Sequence, residues 1–201
     1  MKKLLILLLA LLLPACALGE ADVMALQRLE GAMVYTASNG VDTVIRPAGQ
    51  PFIGETELED GELIAYLDYV DMPNENRVFL RLTVSIVTPE MYAADTMTLR
   101  TGKKAYTFSV WPEISEYDTI YYEDYAVCLT DESLPVLKDI ISLKGKPVEV
   151  TLSGEGMEPI RGSVAMPADT VRRIRSDFEA AGGLKQDFGG FAETWPVEIS
   201  K

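Results

Sequence analysis

The sequence predicts a mainly β protein with two short helices: antiparallel, β-sandwich-like sheets that become α+β at the C-terminal end. Three observations carry that expectation. Residues 77–87, RVFLRLTVSIV, place Val78, Leu80, Leu82, Val84 and Ile86 on one face and Arg81, Thr83 and Ser85 on the other, the period of two of a strand with one side in a core. Turn signals at Asn39-Gly40 and at Gly102 each separate two alternating runs, the pattern of hairpins. After residue 129 the apolar spacing lengthens twice to that of a helix.

The chain begins MKKLLILLLALLLPACALGE. Lys2 and Lys3 precede a ten-residue apolar run, Leu4 to Leu13, with small residues following at Ala15, Ala17 and Gly19; this is the form of a secretory signal peptide. The run falls short of the roughly 20 residues a spanning helix needs. Two readings of Cys16 follow. Pro14 ends the apolar helix and leaves Ala17-Leu18-Gly19 extended for cleavage before Glu20, giving a signal peptide over 1–19 and a secreted or extracellular protein. Alternatively, Leu13, Ala15 and Cys16 resemble the lipobox of bacterial lipoproteins, giving a leader over 1–15 and a lipid anchor on Cys16 at the cell envelope. Pro14 and the absence of a Ser/Gly tether after Cys16 favour cleavage.

In chain order, GAMVYTA (31–37) and VDTVIRP (41–47) form a hairpin about Ser38-Asn39-Gly40, since Asn-Gly accepts positive φ at low cost. Residues 48–61, with Pro51, three glycines and four acids, read as a linker, so that 20–61 is an N-terminal hairpin and linker. ELIAYLDYV (62–70) and the 77–87 run follow as strands joined by DMPNEN. DTMTLRT and AYTFSVW make a second hairpin about Gly102-Lys103-Lys104, and 118–129, DTIYYEDYAVCL, alternates again. In TDESLPVLKDIISLKG, Thr130 caps, Pro135 sits near the start, Leu134, Leu137 and Ile141 share a face, and Lys144-Gly145 close the helix. KPVEVTLSG and EPIRGSVAM are strands about Gly154-Glu155-Gly156. A last helix starts at Pro167 and runs to about Ala181, with Val171, Ile174, Phe178 and Ala181 as its buried stripe. The main domain thus spans 62–183. Residues 184–201 form an aromatic-bearing tail, with Phe188, Phe191 and Trp195, expected to dock in part on the domain.

The LTDESLxxLKDI-type helix, the KxVxVxLxG strand and the basic C-terminal helix resemble those of uncharacterised exported bacterial proteins with a β-sandwich-like domain. The resemblance covers residues 62–183 and brings no site residues with it.

Composition excludes more than it identifies. Without Lys2 and Lys3, 16 basic residues face 31 acidic ones, a net of −15, and such a surface does not hold phosphate backbones; nucleic acid is excluded as a partner. Histidine is absent, which removes Ser-His-Asp and Cys-His catalysis and imidazole metal ligation. Without Cys16, Cys128 has no partner for an intramolecular disulfide, and in AVCL it reads as a small buried hydrophobe. No nucleophile elbow, Ser-x-x-Lys dyad, Walker loop, dinucleotide fingerprint or Cys-x-x-Cys occurs. The acidic ELEDGE (57–62) lacks EF-hand spacing, although a calcium clip in the acidic loops is a third reading. No cofactor and no metal is expected.

One constellation remains, WPEISEYDTIYYEDYAV (111–127). Trp111, Tyr117, Tyr121, Tyr122 and Tyr125 are candidate ligand contacts, aromatic rings being platforms for sugar faces. The strand period puts Tyr121, Glu123 and Tyr125 on one side and Tyr122 and Asp124 on the other, so some of these rings pack a core. The expected function is a non-catalytic exported module that touches a protein or a glycan. The alternative is a glycan hydrolase drawing paired carboxylates from Glu113, Glu116, Asp118, Glu123 and Asp124. Arg172, Arg173 and Arg175 are expected to pair with neighbouring acids on a solvated face.

Overall fold

The computed structural model describes residues 21–51, 60–188, 191 and 194–201; the signal segment with Cys16 and most of the 48–61 linker, including ELEDGE up to residue 59, lie outside the described residues. Eleven strands among these residues form two antiparallel sheets. The first has six strands, with β1 (Met33–Thr36), β2 (Thr43–Arg46), β3 (Leu63–Met72), β4 (Arg77–Thr88), β8 (Ile120–Leu129) and β7 (Glu113–Tyr117) adjacent in that order. It curls into a half-barrel. The second has five, in the order β10 (Ile160–Val164), β9 (Val148–Ser153), β5 (Thr96–Thr101), β6 (Lys104–Ser109) and β11 (Val197–Ser200). The mainly β, sandwich-like fold with α+β character is therefore present.

The two sheets share one apolar core. Val78, Leu80, Leu82, Val84 and Ile86 of β4 are buried in it together with Tyr125 and Val127 of β8, Met97 and Leu99 of β5, Tyr106 and Phe108 of β6, and Val148, Val150 and Leu152 of β9. The strand period fixes which side chains enter. Three α-helices are present among the described residues: α1 (Val23–Gln27), α2 (Pro135–Ser142) and α3 (Ala168–Ala180). Helix α1 was not anticipated; Asp22 caps it by accepting the Ala25 N–H at 3.0 Å. Helix α3 buries Val171, Ile174 and Phe178 as its spacing requires, and Tyr69 of β3 both stacks on Phe178 and donates to the Ile174 carbonyl at 2.9 Å. Its outer arginines pair with their own helix: Arg172 with Asp169, Arg173 with Asp177, Arg175 with Glu179.

Several local expectations differ from the structure. Helix α2 starts at Pro135, and Ser133 rather than Thr130 organises the turn before it, its Oγ accepting the Thr130 N–H at 2.8 Å. The Thr130 hydroxyl is buried and makes no hydrogen bond among the described residues. The 31–47 hairpin is hydrogen-bonded to β3 through β2, Val44 facing Val70, so it extends the six-stranded sheet. Residues 113–117 form β7, a strand the alternation at 118–129 did not reveal. Asp118 and Thr119, both at positive φ, make the β7–β8 turn without the glycine that normally signals it.

The tail docks. Phe188 is buried, and Phe79 of β4 packs its ring at 5.6, 5.2 and 5.4 Å from those of Phe188, Phe191 and Trp195. The Gln186 side chain occupies the place of a missing neighbour strand, accepting the Val78 N–H at 2.9 Å and donating to its carbonyl at 2.7 Å. The chain then runs antiparallel to β6 as β11. No helix among the described residues is long and apolar enough to cross a membrane.

Candidate functional site

A strand with one face in a core ordinarily wets the other. Here β4 does not: Thr83 and Ser85 are buried as fully as the leucines beside them, and Arg77 and Arg81 are half-buried. The reason is the curl of the six-stranded sheet, which bends this polar face into the floor of a cleft of about 630 Å³. The walls come from both ends of the sheet. Met33 to Ser38 of β1 and its turn stand on one side; Trp111 and Glu113, at the start of β7, stand on the other.

Strand register dictates the floor. In one row Asp68 of β3, Arg81 of β4 and Cys128 of β8 are cross-strand neighbours; in the next come Tyr66, Thr83 and Ala126; in the third Ser85, Asp124 and Glu113. Arg81 grips Asp68 with two bonds of 2.8 Å, from Nε to Oδ1 and from Nη2 to Oδ2. Arg46 of β2 donates to the same Oδ2 at 3.4 Å and to the Tyr35 hydroxyl at 3.0 Å, with its guanidinium 4.0 Å from the centre of the Tyr66 ring. Asp68 is wholly buried and lies behind the cleft surface, whereas Arg46 and Arg81 reach it. One buried carboxylate thus holds two guanidiniums in fixed orientations, a charge-assisted arrangement.

Arg81 spends Nε and Nη2 on Asp68 and leaves Nη1 without a partner among the described residues. The Thr83 hydroxyl, on the same floor, also lacks one. Two donors therefore remain for use. Asp124 accepts from Ser85 Oγ. Burial raises its carboxyl above the ordinary aspartate range, and although the Ser85 bond opposes the rise, the charge of Glu113 adds to it. Burial, helped by the charge of Asp124, likewise pushes the Tyr66 hydroxyl up to about 12.

The candidates from the sequence separate clearly. Trp111 stands at the cleft mouth, 88% exposed, and Tyr117 is 74% exposed beside the β7–β8 turn. Tyr121 and Tyr122 are half-buried and do not line the cleft; Tyr125 is buried in the inter-sheet core. Of the five acids, Asp124 and Glu113 line the cleft, while Glu116 and Asp118 are exposed outside it. Glu123 faces the core, where its carboxylate accepts the N–H groups of Tyr92 and Ala93 at 2.5 and 2.8 Å and the Tyr125 hydroxyl; it pins the 89–94 loop. Among the described residues no group of three or more His, Cys, Asp or Glu side chains is placed to hold a metal.

Arg46, Asp68 and Thr83 were missed as site residues. The available signal was Asp68 itself, a lone acid inside the apolar run ELIAYLDYV, since an unpaired buried carboxylate is too costly to keep. Arg81, its partner, was read as part of a wet face.

Comparison with known proteins adds no name to this cleft: no family model, curated protein or solved structure matches the chain.

Proposed function

We propose that the protein is an exported binding module of the bacterial cell envelope or extracellular space, without catalytic activity, which holds a segment of glycan in the half-barrel cleft. One observation supports this above the others: the cleft presents unspent donors, Arg81 Nη1 and the Thr83 hydroxyl, close to an acceptor, Asp124, beneath an exposed indole, Trp111. Sugars are bound by such sets, hydroxyls on the polar groups and an apolar ring face on the aromatic plane. A glycan array on the full chain and on Ala126→Phe tests the reading. Ala126 lies on the floor opposite Thr83, so a phenyl ring there intrudes on the floor beside Arg81 and Thr83 while leaving their polar groups unsubstituted. Binding that disappears in this variant supports the cleft as the site; binding unaffected by it, or no glycan bound, rejects it.

The second reading is a carboxylate-dependent glycan hydrolase, favoured by the raised carboxyl of Asp124 opposite Glu113. Asp124→Asn separates the two. A binding module keeps most of its affinity and releases no reducing ends before or after the change, whereas a hydrolase loses its turnover.

A further inference from the structure

If the cleft takes a glycan, its chemistry specifies which kind. We propose that the sugar held there is acidic, a hexuronate-type residue whose carboxylate is received by Arg81 Nη1 and the Thr83 hydroxyl while its ring lies toward Trp111. The inference rests on the binding reading above and deepens it.

The cations that line the cleft floor are Arg46 and Arg81, and the carboxylate that orients them, Asp68, is fully covered and already accepts three guanidinium N–H bonds. An entering group therefore meets guanidinium before it meets Asp68. Arg81 is 20% exposed, its fork is fixed by two bonds, and the edge bearing Nη1 is the part left over. A fixed guanidinium edge suits a carboxylate better than a lone hydroxyl, because the bond is charge-assisted and loses little side-chain freedom.

Thr83 supplies the second, independent sign. It is 1% exposed, and its Oγ1, like those of Thr88, Thr101 and Thr130, makes no hydrogen bond among the described residues. Of these four threonines, Thr83 is the one that lines the cleft, where a ligand can supply the partner that buried polar atoms ordinarily have. Arg81 and Thr83 are two residues apart on β4, so they project from the same face about 7 Å apart at the backbone, and both line the cleft; the proposed carboxylate lies between them. Asp124, one cross-strand row further on, stands where the hydroxyls of the same ring would fall. Exposed acids more than about 8 Å away are largely screened at physiological salt, which leaves Glu113 at the rim as the exposed acid of the cleft lining that an anion must approach.

Glucuronic acid, its methyl ester and glucose, measured by ligand-observed NMR and calorimetry on the full chain, form the test. Glucuronic acid is expected to bind at least about tenfold more tightly than the other two, the difference associated with a charged rather than neutral hydrogen-bonded group, and to weaken as salt is raised. Thr83→Val, which keeps the side-chain shape, should lower its affinity roughly two- to tenfold and leave glucose unchanged. Ester and glucose bound as tightly as the acid, with all three lost in Ala126→Phe, would overturn the acidic preference while the cleft reading stands. No sugar bound by the wild-type chain would overturn both.

Discussion

Glu113 and Asp124 face each other directly across β7 and β8, the first exposed at the cleft rim and the second mostly covered. Like charges in direct cross-strand register repel, and here burial adds to that cost, so Asp124 binds its proton more tightly in the folded chain than in the unfolded one. The linkage sign follows. An acid whose folded pKa lies above its unfolded value lowers stability as pH rises through the interval between them. Asp124→Asn keeps an acceptor for Ser85 Oγ and cannot ionise. Its urea midpoint should match or trail that of the wild type at acid pH and gain on it steadily as pH climbs above the ordinary aspartate range. A difference between the two that is flat across pH would show that Asp124 carries no such load.

Asp68 presents the opposite case, a carboxylate the structure cannot lose. It is fully buried between Arg46 and Arg81, and Asp68→Asn removes the charge that both guanidiniums face. Breaking one side of a buried ion pair costs about 3–5 kcal/mol. Denaturant unfolding of the variant should show a loss of that order without a change in the slope m, which reports the surface exposed on unfolding. A loss under about 1 kcal/mol would mean the pair behaves as an exposed one.

These residues also show what the sequence made legible. The core face of β4 and the stripe on α3 follow from apolar spacing alone, because burial against another layer is a one-sided demand that the pattern records directly. Arg81, Thr83 and Ser85 obey the same period yet mislead, since alternation states that two faces differ and is silent about curvature. It is the curl of the sheet, set by six strands together, that turns a face expected to be wet into a cleft floor. Strand β7 escaped because Asp118 and Thr119 take positive φ without glycine. Strand β11 escaped because four residues carry too little alternation to read. Glu123 and Tyr125 were placed on one face by parity, but that this face was the core one needed the second sheet.

Gly183 is held by space rather than by backbone angle. A Cβ built there would lie 2.2 Å from Cε2 of Phe178, a buried ring stacked on Tyr69 at 5.9 Å between centroids. Neither ring has room to move, so Gly183→Ala should destabilise by about 1–3 kcal/mol through overpacking. Gly156 is the control: its φ is +75° with nothing within 4 Å of an added Cβ, and alanine there should cost only the roughly 1–2 kcal/mol of a left-handed backbone. Near-ultraviolet circular dichroism, sensitive to aromatic packing, should change for the first variant and not for the second.

Cys128 sits in the row with Asp68 and Arg81 and is buried. Burial pushes its thiol up to about 12, against a smaller lowering by Arg81. The thiolate is the reactive form, so at neutral pH the native chain should resist a disulfide reagent, and labelling should proceed at the rate of unfolding. Cys128 labelled within seconds in the absence of denaturant would contradict the burial described here.

The C-terminal tail closes an edge, and its loss should be felt in two separable ways. Phe188 is buried against Phe79, so Phe188→Ala should cost about 3–5 kcal/mol, the usual range for removing a buried ring. Deleting residues 196–201 leaves that ring in place but strips β11 from β6, where Val197 pairs with Phe108 and Ile199 with Tyr106. The exposed N–H and C=O row of β6 is then open to another strand. Sedimentation velocity should find the deletion variant associating with rising concentration while the Phe188→Ala chain, less stable but still edged by β11, stays at its starting size at temperatures where it is folded. A deletion variant that remains at the size of the full chain would show that β11 guards nothing.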